Sequence, residues 1–439
     1  MSNTRPNQYA RSIHYNSKDA VLLHDEYDVD KIDVDGTQTH FIDYNAGTDY
    51  PVYGICDDGV YAYWVTNNPT SGKLEFYKKL LTLDSTTAGT LMFSSPGIAV
   101  TNAVLEYTKE RIVAAINNKV YQIAVNATTL PTAVYTHPDQ DVVFTSITSS
   151  GAAIYLSAFS GIQSNIYKFT LDTSGVMPTL TSAITAAELP VGEKVYRIAY
   201  YLGNMAIGTS LGARVANVSE TDGSIAYGPL IFNSEQPVYD VCFRDKFLWC
   251  ATNVDGNPGL TRINLGQEIY NLVYAYAWDL YDPDTTGRNT TACAFAGNTS
   301  QIIFTTAKTT TNGSIYIQHP TNKIEVGKLE VGYIRYNTVE NKIFKYVVPK
   351  FDTTNGGLTI LSIDAQHNEY PLGSYAQGSD VGQIGIAYPL GAQQYLAFEF
   401  QFSRSSTDAT KGPKDRKSTR LNSSHEWISR MPSSAWKKK

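Results

Sequence analysis

Short runs rich in Val, Ile, Tyr, Phe and Thr alternate along most of the chain with turns that carry Gly, Asn or Asp. Such runs suit a pleated, half-buried surface, and no long stretch follows the 3.6-residue period of an amphipathic helix. A unit of strand, tight turn, strand, loop and strand recurs from about residue 50 to about residue 320. Its instances are PVYGICDDGVYAYWVTNN from Pro51, AVLEYTKERIVAAINNKVYQIAV from Ala103, and VVFTSITSSGAAIYLSAFSGIQSNIYKFTLD from Val142. KVYRIAYYLGNMAIGTSLGARVANV follows from Lys194, PVYDVCFRDKFLWCATNVDGNPGLTRINL from Pro237, and TTACAFAGNTSQIIFTTAKTTTNGSIYIQHP from Thr290. First turns at Asp57-Asp58-Gly59, Ser150-Gly151, Gly203-Asn204 and Gly297-Asn298 offer residues that accept positive φ, as two-residue hairpins require. A weaker fourth strand usually follows, as in Thr132–Thr136 or Leu272–Trp278. Third and fourth strands are joined by turns such as Asp172-Thr173-Ser174-Gly175 and Thr221-Asp222-Gly223-Ser224.

Unit starts recur every ~48 residues, close to the ~40–50 of a four-stranded propeller blade. The expected fold is all-β: a six-bladed β-propeller over residues 38–323, followed by a small antiparallel β-sandwich over 324–413. The strand around Thr39–Tyr44 is expected to pair with the sixth unit and close the ring. Seven blades result instead if residues 20–45 form a degenerate blade, and a series of β-sandwiches is the competing architecture. Residues 1–37 are assigned as an N-terminal segment. In 324–413, alternation is clear in Leu358–Ile363 and Tyr395–Phe402. About seven short strands fit there, with turns at Asn355-Gly356-Gly357 and Gly391, and Pro371 and Pro389 interrupt the edges.

Composition changes this picture in one place. Residues 414–439, KDRKSTRLNSSHEWISRMPSSAWKKK, hold eight basic and two acidic residues and follow neither period. The string resembles translated adapter or vector sequence and is read as a non-native tail; a native basic tail is the alternative. The whole chain has 35 basic and 41 acidic residues, a formal charge of -6. Without this segment 27 basic and 39 acidic residues remain, a charge of -12. An acidic body argues against nucleic acid as a partner. A hydrophobic fraction of 42% suffices for a core and excludes a disordered chain. No apolar run approaches the ~18 residues of a membrane-spanning helix, so no membrane insertion is expected. The first residues lack an apolar signal-peptide core, so no ordinary signal peptide is expected.

VGYIRYNTVENKIFKYVVPKFD from Val331 and PLGAQQYLAFEFQFSRSSTDATKGP from Pro389 resemble the C-terminal β-domain of minor tail proteins from siphovirus-type bacteriophages. VYGICDDGVYAYWVTN from Val52 is similar to the propeller region of the same family. The resemblance implies a structural protein of the virion tail tip, made in the host cytoplasm and multimeric in the virion. Its implied partners are other phage tail proteins and bacterial surface polysaccharide. In the family the chain continues past the KGP motif, so the true C-terminus is expected to be missing here. The family carries over no catalytic residue.

Catalytic chemistry finds little footing. Cys56, Cys242, Cys250 and Cys293 form no Cys-x-x-Cys pair, which argues against zinc; they read as buried free thiols, with a Cys242–Cys250 hairpin disulfide as the alternative. No two of the seven His lie four apart. Asp28/Asp30, Asp33/Asp35 and Asp282/Asp284 alternate carboxylates that Ca²⁺ could use, but the EF-hand spacing is absent and solvated turns are the simpler reading. Gly-x-Ser-x-Gly, a P-loop and a strand-linked Gly-x-Gly-x-x-Gly are absent. No cofactor, no metal and no enzyme activity are therefore expected.

Tyr is the compositional outlier, at 31 residues against 5 Trp. Aromatic rings near blade turns can bind sugars and protein surfaces at low entropic cost. The candidates are Tyr61, Tyr63, Trp64, Trp249 and Trp278, with packing between blades as the competing role for each. The expected function is that of a tail structural protein that binds host-surface glycan. The alternatives are a non-viral propeller scaffold for protein interactions and, behind it, a carbohydrate-active propeller enzyme.

Overall fold

The structure is a computed structural model. It describes residues 12–413 apart from short segments, the longest being 282–287, 309–313, 335–339, 348–353 and 380–385. Every regular element described is a β-strand, and the chain divides into two compact units, Met1–Gln318 and His319–Lys439.

Among the described residues, the first unit holds seven small antiparallel sheets in chain order. Blade 1 is Ser12–Tyr15, Ala20–His24, Asp28–Asp33 and Gln38–Asp43. Blade 2 is Gly54–Asp57, Tyr61–Asn67, Leu74–Leu80 and Thr90–Ser95; blade 3 is Ala103–Thr108, Arg111–Ile116, Lys119–Ala124 and Tyr135–Thr136. Blade 4 is Val143–Ser149, Ala153–Ser160, Gln163–Thr170 and Ile184–Glu188. Blade 5 is Val195–Tyr201, Asn204–Thr209, Gly212–Val218 and Ile225–Tyr227, with Phe232–Asn233 also on its third strand. Blade 6 is Asp240–Arg244, Phe247–Val254, Asn257–Tyr270 and Val273–Tyr281, and blade 7 is Arg288–Phe295, Ile302–Lys308 and Ser314–Ile317. Each first strand neighbours the first strands of the blades before and after it, and that of blade 7 neighbours that of blade 1. The unit is a closed seven-bladed β-propeller.

Two expectations are corrected. The propeller starts within residues 1–37 rather than at 38, because three strands of blade 1 lie there. Gln38–Asp43 pairs with Asp28–Asp33 inside its own blade, so it does not complete the last one. Closure instead rests on side chains: Val21, Leu23 and Ile32 of blade 1 pack against Ala292, Ala294, Ala296 and Ile303 of blade 7.

The blade interfaces explain why the second strands read as continuous apolar runs rather than alternating ones. Side chains leave a strand on opposite faces in turn, and a propeller buries both faces against neighbouring blades. In Arg111–Ile116, Ile112, Ala114 and Ile116 enter the cluster shared with blade 2, while Val113 and Ala115 enter the one shared with blade 4. In Tyr61–Asn67, Tyr63 and Val65 face blade 3, while Ala62 and Trp64 face blade 1.

The turn in blade 5 lies one residue earlier than expected. Tyr201 pairs with Asn204, so Leu202 and Gly203 occupy the turn, at φ +47° and +82°. In blade 3 the turn falls on Lys109 and Glu110, at φ +52° and +59°, with neither Gly nor Asn to signal it. The Gly297-Asn298 turn lies outside the described residues.

The second unit begins at His319, five residues before the expected boundary at 324. Lys323 N–H donates to Ala409 O and Arg404 N–H to Glu325 O, which ties the connecting segment to the C-terminal sheet. That sheet runs in the order Val326–Glu330, Ala397–Ser403, Gly357–Ile363 and Glu369–Tyr375. A two-stranded ribbon, Tyr346–Val347 with Ile386–Ala387, accompanies it. The described residues thus give one four-stranded sheet and one two-stranded ribbon, six of the about seven strands expected. Phe398, Phe400 and Phe402 form a half-buried row at centroid spacings of 6.3 and 6.4 Å.

Candidate functional site

The five aromatic candidates divide by strand position. Second strands are buried on both faces, so Tyr63 and Trp64 are each 1% exposed and Trp249 is 6% exposed. Tyr63 hydroxyl donates to Asp58 Oδ2 at 2.8 Å. Trp64 stacks on Tyr77 at 5.4 Å and donates from Nε1 to Tyr44 hydroxyl at 3.1 Å. Gly89 makes room for that indole, since a Cβ there would lie 2.2 Å from Trp64 Cη2. The Arg262 guanidinium covers the Trp249 ring at 5.0 Å, itself paired to Asp279 at 2.9 Å. These three rings are inter-blade packing and offer no face to a ligand. Tyr61 is half-buried, with Lys78 Nζ 5.4 Å from its ring centroid.

Trp278 differs, because it sits on the outermost strand of blade 6 and is 52% exposed. Among the three tryptophans of the described residues it alone presents a ring to solvent. Tyr276, two residues earlier and 44% exposed, lies on the same face of the strand. Two residues along a strand place the rings about 7 Å apart. Tyr276 is seated against Phe232 of blade 5 at 5.5 Å. The 14-residue strand Asn257–Tyr270 also overshoots the blade. At its tip Glu268 Oε1 accepts the Leu272 N–H at 2.7 Å, leaving Ile269 and Tyr270 at 56% and 74% exposure.

A second cluster, not singled out from the sequence, lies on the first strands around the propeller axis. Arg197 of blade 5 pairs with buried Asp240 of blade 6, Nε to Oδ1 at 3.1 Å, a close ion pair rather than an aligned hydrogen bond. Asp240 also accepts the N–H of Val241 at 2.9 Å and of Cys293, on blade 7, at 3.0 Å. Burial pushes its carboxyl up against the pull of Arg197 and these donors. Burial pushes Glu106 of blade 3 to about 7, partly offset by Arg197 and reinforced by Asp57. Burial likewise pushes Asp57 of blade 2 to about 7 despite its bond from Gly59 N–H at 3.0 Å. Arg197 and Asp240 are thus paired across two blades, while burial raises the carboxyls of Asp57 and Glu106 on two others. A signal exists for two of them: Glu106 and Arg197 each place a charge inside an otherwise uncharged first strand, whereas Asp57 and Asp240 stand at strand ends.

Among the alternating Asp residues that are described, Asp30 and Asp35 take hydrogen bonds from within the chain. Asp30 is buried and takes hydrogen bonds from Gln38 and, at 2.9 Å, from His40 Nδ1. Asp35 Oδ1 accepts Thr37 N–H at 2.8 Å. Asp282 and Asp284 lie outside the described residues. Among the described residues no three His, Cys, Asp or Glu side chains are grouped to hold a metal. Cys242 and Cys250 cannot form the hairpin disulfide considered above. Cys242 faces Trp249 across the pair and Cys250 faces Val241, so the two thiols project from opposite sides of the sheet.

No protein-family model and no curated protein matches the sequence. Solved structures that resemble it include YCF48 bound to D1 peptide, at 12% identity and TM-score 0.49, over 73% of this chain and 96% of that one. Chaetomium thermophilum Raptor is similar at 12% identity and TM-score 0.46, over 71% of this chain and 29% of that one. Kuenenia stuttgartiensis hydrazine synthase is similar at 10% identity and TM-score 0.46, over 68% and 92%. At these values none bears on what this chain binds. The class of protein is set by the seven sheets and their closed order: an all-β propeller with an appended β-sheet unit.

Proposed function

We propose that this propeller is a non-enzymatic structural protein of a siphovirus-type phage tail whose sixth blade binds polysaccharide of the bacterial surface. The observation that carries the glycan reading is the exposure of Trp278 and Tyr276 on one face of an outermost strand, while the other described tryptophans are buried. Flat rings fixed on a strand offer apolar area to a sugar at little conformational cost. A single shallow platform binds weakly, and copy number on a virion would multiply it. The resemblance of residues 331–352 and 389–413 to minor tail proteins supports the assembly role.

The test is binding of the full chain and of Trp278→Ala to bacterial cells and their purified surface polysaccharides. Binding that falls at least tenfold in Trp278→Ala supports the reading, and equal binding by both proteins overturns the glycan part. Failure of antibodies to the chain to decorate any virion tail overturns the tail assignment. A scaffold for protein partners is the second reading, favoured by the exposed Ile269–Tyr270 tip. It predicts that Tyr270→Ser, not Trp278→Ala, abolishes capture of the partner.

A further inference from the structure

We propose that Cys242 and Cys293 form a thiol–disulfide exchange site that can cross-link blade 6 to blade 7. Cys242 lies on the first strand of blade 6 and Cys293 on the first strand of blade 7, which are neighbours in the ring. Asp240 fixes their register: its Oδ2 accepts the Cys293 N–H at 3.0 Å. Cys242 is two residues beyond Asp240 and projects from the same face, toward blade 7. Beyond burial, the Cys242 thiol also helps to raise the Cys293 thiol, as a close neighbour would. Both belong to the cluster that joins these blades, with Trp249 and Phe295 around them. The other two cysteines are placed elsewhere: Cys250 in the cluster shared with blade 5, Cys56 in the one between blades 2 and 3.

The pair is asymmetric in a way that suits exchange. Cys242 is partly exposed, whereas Cys293 is buried and its thiol is held well above the ordinary range by that burial. The oxidant is a small dialkyl disulfide such as oxidised glutathione. The Cys242 thiolate attacks one of its sulfurs, breaks its S–S bond and releases one thiol, leaving a mixed disulfide on Cys242. Cys293 then loses its proton to solvent and attacks Cys242 Sγ, releasing the second thiol. Two protein thiols are oxidised to one disulfide and the reagent is reduced to two thiols. The raised thiol of Cys293 makes the second step the slow one. The bond would close a loop of ~50 residues beside the ring-closing blade and restrict the unfolded chain.

The experiment exposes the full chain to excess oxidised glutathione, both folded and during refolding from the reduced state. Remaining thiols are alkylated, and disulfide-linked peptides are identified by mass spectrometry. A dominant Cys242–Cys293 link, a thermal midpoint raised by several degrees and reversal of both by dithiothreitol are expected. Cys293→Ala should leave Cys242 as a stable mixed disulfide, and Cys250→Ala should leave the Cys242–Cys293 link unchanged. A Cys242–Cys250 link overturns the proposal. So does persistence of the mixed disulfide in the unsubstituted chain, or the absence of any link under both conditions.

Discussion

The guanidinium of Arg214 grips the carboxylate of Glu193 with two bonds, Nε to Oε1 at 2.9 Å and Nη2 to Oε2 at 2.8 Å. Arg214 comes from the third strand of blade 5, and Glu193 from the connection that enters the blade. Both are buried, and Nη1 also donates to Gly228 O at 2.8 Å. Removing one partner strands the other charge away from water. Glu193→Gln or Arg214→Met is therefore expected to cost about 3–5 kcal/mol in denaturant unfolding. The double substitution to Met should recover part of that loss, because no uncompensated charge remains.

Trp64 and Trp278 should separate stability from binding. Trp64→Ala empties an inter-blade site and is expected to cost about 3–5 kcal/mol. Trp278→Ala removes a half-exposed ring and should cost less than about 1 kcal/mol while weakening polysaccharide binding. Paired melting and binding curves check this, and a large loss of stability in Trp278→Ala would count against its role as a platform.

The axial carboxyls predict an unusual pH response. Asp57 and Glu106 titrate near 7 in the fold and near 4 in the unfolded chain, so between those values the folded state holds more protons. The contribution of these groups is full below about pH 4 and is lost as pH rises toward 7. Melting temperature should therefore fall from pH 5 to pH 8. Glu106→Gln should flatten that slope and raise stability at pH 8 by about 1–2 kcal/mol, less than the full shift because Glu106 retains some solvent contact.

Lys109 and Glu110 occupy positive φ without the residues that favour it. Replacing Glu110 by Gly at φ +59° is expected to stabilise the chain by about 0.5–1 kcal/mol. Leu202→Asn, at φ +47° and 76% exposed, should do the same. Thermal denaturation of each variant checks the sign.

The count of seven blades can be tested by removing blade 1. Deleting residues 1–45 would bare the clusters that include Ile55 and Trp64 on one side and Ala292, Ala294 and Ile303 on the other. Aggregation and loss of cooperative unfolding are expected. A soluble, cooperatively folded product would instead support a six-bladed ring.

Much of this propeller can be read from local pattern. The six later blades follow from recurring β-rich runs with Gly, Asn and Asp at their turns. Blade 1 is harder to see, because Asp28-Val29-Asp30-Lys31-Ile32-Asp33 mixes charge into a strand. Its Asp30 is buried only because Gln38 and His40, from the next strand, satisfy it. The C-terminal alternation of Phe398, Phe400 and Phe402 was equally plain, but the number of strands around it was not.

Strand runs and blade length were determined by the sequence alone, because they depend on side-chain period; turns were determined only where Gly, Asn or Asp marks them, and the Lys109-Glu110 turn was not. The tertiary structure decided the number of blades, the exposure of each aromatic ring and the pairing of Arg197 with Asp240 across two blades. Those outcomes depend on what packs against each face of a strand. Tyr63, Trp64, Trp249 and Trp278 all stand in β-rich runs of similar appearance, and only the neighbouring blade, or its absence beyond an outermost strand, separates packing from platform.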